Sequence, residues 1–243
     1  MSTALTPYTE DIPVCAGMEE LDSKDYIVPR RKLMQGTSKV EGMVDIMPGT
    51  FVDVSAKRTV GKSMQVIVLL IKVGRTLYWE RASGKEGRRC WSHDGKTPSA
   101  QVEFPVSSSC GNCEEAWKDK TFSLLCLDVK ETLEIGSPVM FWMTASKTSR
   151  RPTQEFLSAV ASRQKHLFAT RTTIASVRQE SDRGEPYFTL GFSDMAFLNP
   201  NDEKDEELYV LAKAAFLRMQ SAATSAPDED AVDAPVSSSD RSL

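Results

Sequence analysis

The stretch SMQVIVLLIKV, residues 63–73, decides the fold class. Its centre, residues 66–71, is an unbroken apolar run of strand length, far short of the ~18 residues a membrane span requires. Just before it, residues 50–55 are short and β-prone, and Val60-Gly61-Lys62 carries a glycine suited to a turn. Just after it, Gly74-Arg75 can turn the chain into TLYWER, residues 76–81. Together these segments predict a β-meander.

Farther out the patterns remain strand-like. Residues 121–129 (TFSLLCLDV) and 138–145 (PVMFWMTA) are β-prone. Residues 166–177 and 186–192 predict a hairpin across Ser181-Asp182-Arg183-Gly184. Thr153 can cap a short helix with Phe156, Leu157 and Val160 on one face. Asp202 opens a final helix whose Leu208, Leu211, Ala212, Ala215, Phe216 and Met219 keep amphipathic spacing. The sum is a mainly β fold with two helices, a domain spanning residues 26–200 that contains the first and the amphipathic helix over 201–221 that follows it.

Charge is distributed unevenly. The formal total is −4, yet residues 1–25 hold one basic and six acidic groups, and residues 201–243 hold four basic and ten acidic groups. Residues 26–200 hold 25 basic against 18 acidic. A basic body between acidic ends suits a polyanion binder, although the same charges also serve as ordinary solvated surface. Residues 1–25 and 222–243 lack any apolar period and read as disordered acidic segments. The N-terminus has no basic-then-apolar run of a secretory signal, so the expected location is the cytoplasm, that of the host if the chain is phage-encoded.

Residues 82–120 show little periodicity and are dense in Gly, Ser, Pro and Cys. An insertion of that length in a compact domain needs something to organise it. Three of the five cysteines fall there, as Cys90-Trp-Ser-His93 and Cys110-Gly-Asn-Cys113. This C-x2-H-x16-C-x2-C pattern fits a tetrahedral Zn2+ site with ligands Cys90, His93, Cys110 and Cys113. Four protein ligands leave no open position, so the metal would be a structural staple. Cys126 is the competing fourth ligand, but its mid-strand apolar setting suits a small buried hydrophobe.

Basic and aromatic residues interleave along the same region. Period-two alternation puts Arg75, Leu77, Trp79 and Arg81 on one strand face. Lys57, Arg58 and Lys62 lie just upstream, and Arg88, Arg89 and Trp91 lead into the cysteine region. Trp142 is followed by Lys147, Arg150 and Arg151 in a polar loop. Core packing is the commoner role for any single aromatic, Tyr78 and Phe141 above all. As a cluster, cations with stacking faces are what a single-strand groove needs.

The run RTLYWER, then RCWSHDG, then CGNC, then a helix and the hairpin ending GEPYFTLGF, resembles phage-encoded single-stranded DNA-binding proteins. The resemblance covers residues 26–219. It implies an OB-like Greek-key β-barrel carrying a zinc subdomain between strands. It also implies sequence-nonspecific binding of displaced single strands in DNA replication or recombination, with replication or recombination proteins recruited by the acidic tail. Two features depart from that pattern. The chain ends in Asp240-Arg-Ser-Leu243 without an acidic-aromatic tip, and no cysteine immediately precedes the strand at Thr121.

The leading expectation is therefore a single-stranded DNA-binding protein, RNA not excluded, with no membrane partner. The alternative is a zinc-dependent protein-interaction or transcription-regulating module. An enzyme is not expected. His93-Asp94 has only His166 to join it, Gly61-Lys62-Ser63 lacks the full phosphate-loop spacing, and no nucleophile is paired with a base.

Overall fold

A computed structural model describes residues 28–79, 84, 88–92, 94–113, 120–199 and 201–221. The two segments read as disordered, residues 1–25 and 222–243, lie outside them.

The molecule is organised around one strand. β1 (Arg31–Leu33), β2 (Phe51–Asp53) and β3 (Arg58–Gly61) form a small antiparallel sheet. β4 (Ser63–Tyr78) then runs for 16 residues through the centre of a second, six-stranded sheet. β6 (Lys120–Asp128) lies along one side of it, with Arg75 opposite Lys120 and Val66 opposite Asp128. Its other side is shared. β8 (Thr170–Glu180) pairs with its first part and β5 (Arg88–Ser92) with its last. β7 (Met140–Ala145) and β9 (Pro186–Phe197) complete the order β7-β6-β4-β8-β9.

The uninterrupted apolar run in β4 follows from burial on both faces. Alternation sends Met64, Val66 and Val68 to one side, where they pack with Phe51, Leu124, Phe156 and Val160. That layer comprises the small sheet and helix α2 (Arg150–Ser162). Ile67 and Leu69 face the other side and pack with Leu125, Leu127, Leu208 and Ala212. That layer holds α1 (Val129–Ile135) and α3 (Glu203–Ser221). The final helix thus has the apolar face its spacing predicts, and covers its own domain with it.

Four expectations change. Gly74-Arg75 is not a turn, and β4 continues through it. A Cβ on Gly74 would lie 2.9 Å from Thr121 Oγ1 and 3.1 Å from the Ser92 carbonyl, so this glycine lets β5 and β6 close in on both sides of one strand. A third helix, α1, follows β6 directly, because Asp128 caps it by accepting from the Glu131 amide and Gly136 ends it at φ 71°. Thr153 does not open α2. It lies inside the helix, buried, with its hydroxyl donating to the Ser149 carbonyl. Finally, the described residues form no closed barrel. β7 and β9 remain the two edges of the large sheet.

The space between those edges is bridged by other parts of the chain. Arg30 forms an isolated parallel bridge with Trp142 of β7, and the Trp142 amide donates to the Pro29 carbonyl. On the opposite side the Gln35 side chain mimics a strand partner for β9. Its Nε2 donates to the Phe188 carbonyl at 2.8 Å and its Oε1 accepts from the Phe188 amide at 2.9 Å. Among the described residues no helix is long and apolar enough to cross a membrane.

Candidate nucleic-acid interface

The bridged gap between β7 and β9 leaves an open groove of about 460 Å³. One wall is β1 with the residues around it, contributing Arg30, Lys32 and Gln35. The other is the end of β7 with the tight turn that follows, contributing Thr144, Ser146, Lys147 and Thr148. Tyr78, the last residue of β4, and Tyr187 of β9 add aromatic surface. Among the described residues no Asp or Glu lines it.

Local structure accounts for this arrangement. Successive residues of a strand face opposite ways. Arg31 accordingly goes inward and is buried, donating to Asp128 and Glu131 and lying over the Phe141 ring at 4.1 Å. Its neighbours Arg30 and Lys32 are half-buried and line the groove. Across the groove Lys147 holds φ at 46°, a left-handed conformation costing ~1 kcal/mol or more for a residue with a Cβ. Its ammonium lies 5.7 Å from the centroid of the Tyr78 ring, within cation–π range. Tyr78 is 42% exposed. Ser149 Oγ, accepting from the Leu190 amide, ties the same turn to β9.

Of the described residues singled out by sequence, Lys147 is the one in this groove. Arg150 and Arg151 open α2 beyond it, the latter donating to Glu155. Lys57 and Arg58 lie at the β2–β3 turn, where Arg58 donates to Glu131, and Lys62 is exposed at the corner before β4. Trp142 is 3% exposed and packs in the core, so no ring face is open for a base. Lys72 Nζ sits 5.7 Å from that ring, and burial pushes its pKa down.

A second group gathers at the same end of β4, where β5 pairs with it. Arg88 lies over the Trp91 ring at 4.2 Å and Arg89 over Trp79 at 5.4 Å. The Trp91 indole N–H is buried with no acceptor among the described residues. Arg75 is a tether, its Nη1 donating to the Cys110 carbonyl at 2.8 Å. Arg81 lies outside the described residues.

Tyr78, Arg30, Lys32 and Tyr187 belong to the groove although the spacing arguments passed them by. Tyr78 alternates away from Trp79 and reads as core. Arg30 and Lys32 were legible as the basic run Arg30-Arg31-Lys32, but only β1's position against β7 makes it one wall of a groove.

The cysteine insertion folds back on β4. β5 pairs along its last residues, with Leu77 opposite Cys90. Asp94 then shapes a turn, accepting from the Lys96 and Thr97 amides and from the Thr97 and Ser92 hydroxyls. Those bonds hold its carboxyl well below the usual carboxylate range, the Thr97 amide foremost. This is local turn chemistry. The Cys110 amide donates to the Lys96 carbonyl, closing the loop. Cys90, Cys110 and Cys113 line one small space of about 10 Å³, and all three are free thiols. Burial raises the Cys110 thiol's pKa. Among the described residues no three His, Cys, Asp or Glu side chains form a group that could hold a metal ion. His93 lies outside those residues. Cys126 is fully buried in β6.

Comparison with known families adds one decisive observation. The model of a family described as Pam3 phage gp34-like protein matches residues 3–225. The chain belongs to that family. The match extends across both sheets, the cysteine insertion and α3, so the gp34-like unit includes the groove and the thiol cluster together. Its description is that of a phage protein and states no activity. No curated protein and no solved structure matches the chain.

Proposed function

We propose that this gp34-like protein is a sequence-nonspecific single-stranded DNA-binding protein that protects displaced strands in phage DNA replication or recombination. The observation that carries this reading is the groove between β7 and β9, with Arg30, Lys32 and Lys147 beside Tyr78 and Tyr187 and no carboxylate among the described residues that line it. Cations there neutralise phosphates, and an exposed ring offers a stacking face to any base. The Arg88–Trp91 and Arg89–Trp79 pairs supply further contacts along the same strand. RNA has the same phosphates and ring faces, so it competes in this reading.

Structural Zn2+ is part of the same proposal. Cys90, Cys110 and Cys113 would supply soft thiolate donors, which suit zinc, and His93 the fourth ligand, once the insertion closes around the metal. The metal would order an insertion with little apolar content. Metal analysis of the purified chain tests this directly. About one zinc per chain, lost in the Cys110→Ser variant, supports it, and absence of metal from protein purified without chelators removes it.

Anisotropy titration of a labelled single-stranded oligonucleotide, at two salt concentrations and against duplex competitor, tests the main reading. Affinity should fall with salt at a log–log slope near −0.7 per neutralised phosphate, and duplex should not displace the strand. No binding at low salt overturns it. In that case the alternative, a zinc-dependent protein-interaction module, gains from Phe104 of the insertion, which is 79% exposed.

A further inference from the structure

Helix α3 has two apolar faces. Leu208, Ala212 and Ala215 are buried against the sheet. On the opposite side Val210, Ala214 and Leu217 form a second stripe at i, i+4 and i+7, with Val210 58% and Leu217 52% exposed. Single exposed apolar residues are ordinary on protein surfaces, whereas an aligned stripe is a candidate contact.

The charges flanking the stripe are sorted along the helix. Exposed Glu203, Glu206 and Glu207 occupy the N-terminal part, and Lys213 and Arg218 the C-terminal part. A shallow groove of about 340 Å³ runs beside Glu207 and Val210. Such a surface is complementary to itself in one direction only. Parallel copies would set acid against acid, while antiparallel copies set acid against base and oppose their helix dipoles favourably.

We propose that this face of α3 pairs with the same face of a second copy of the chain, antiparallel about a two-fold axis. An isologous contact of this kind places the axis near residue 212. Val210 of one copy then meets Ala214 and Leu217 of the other, and Glu207 of one copy meets Arg218 of the other. The chain's own residues 222–243 do not compete for the acidic half, because they carry five acidic groups against one basic. One helix pair buries less than the ~1,200 Å² of standard stable interfaces, so the dimer is weak, with a dissociation constant on the order of 10–100 μM.

The test is sedimentation velocity of the full chain, without nucleic acid, over a concentration series reaching several hundred micromolar. The expected result is a monomer–dimer equilibrium that Leu217→Glu weakens at least tenfold. Glu207→Arg and Arg218→Glu should each weaken it several-fold, and the two combined should restore it. Glu207 and Arg218 stand eleven positions apart, roughly 16 Å along one helix, so only contact between copies can produce that rescue. Circular dichroism of each variant confirms that the helix persists. A chain that stays monomeric throughout, a dimer indifferent to Leu217→Glu, or a failed rescue overturns the proposal. Because no oligonucleotide is present, none of these outcomes bears on strand binding.

Discussion

Arg31 shows how far a residue's role depends on the direction it faces. It is buried between Asp128 and Glu131 with Phe141 beneath it, and so joins the small sheet to the start of α1. Removing the cation strands a carboxylate in the interior. Arg31→Ala should therefore cost about 3–5 kcal/mol in urea unfolding, and a loss below ~1 kcal/mol would show that the ion cluster is not what ties the two sheets. Cys126 makes a second residue-level case. Burial in β6 pushes its thiol pKa up, desolvation being the main cause. The native thiol should resist a disulfide reagent that modifies it freely in denaturant. A folded pKa above the unfolded one means full stability below about pH 8.5 and a loss of ~1.4 kcal/mol per unit above it. Cys126→Ala should flatten that alkaline decline in unfolding titrations, and an unchanged slope would assign it to other groups.

At the level of elements, the groove depends on a loop outside its lining. Gly49, between β1 and β2, has φ at 80°, and a Cβ there would lie 2.5 Å from the Phe188 ring. Phe188 is the residue that Gln35 grips on β9. Gly49→Ala should destabilise the fold by about 1–3 kcal/mol through strain and overpacking. It should also weaken oligonucleotide binding by displacing the wall formed around β1. Normal affinity with lowered thermal stability would separate the loop from the groove. The elements themselves were well marked in the sequence wherever burial followed a simple period. The hairpin expected over residues 166–177 and 186–192 emerged as β8 and β9, Thr170–Glu180 and Pro186–Phe197, and α3 emerged close to expectation. α1 was missed because VKETLEI is short and follows a strand without a break. The supposed turn at Gly74 failed because a glycine needed for close approach looks, in one dimension, like a glycine needed for a bend.

For the molecule as a whole, the decisive quantity is how charge is gathered. Lys147→Ala should reduce the salt slope of single-strand binding by about 0.7, the value for one phosphate contact. Tyr78→Ala should cost ~1–3 kcal/mol at any salt concentration. Anisotropy titrations of both variants distinguish the two roles. Equal effects of Tyr78→Ala and Trp142→Phe would argue against the groove, since Trp142 lies in the core.

The sequence by itself determined the strand-rich core, the unbroken apolar run of β4, the amphipathic α3, the excess of base in the middle of the chain and the clustering of its cysteines. All are properties of composition and local period, which act over one element at a time. Only the tertiary structure decided that the large sheet stays open, that Arg30 and Lys32 face Lys147 across its gap, and that Trp142 is core while Tyr78 is groove. Those outcomes depend on which edges meet and which face each strand turns outward, and distant segments settle them by packing against one another.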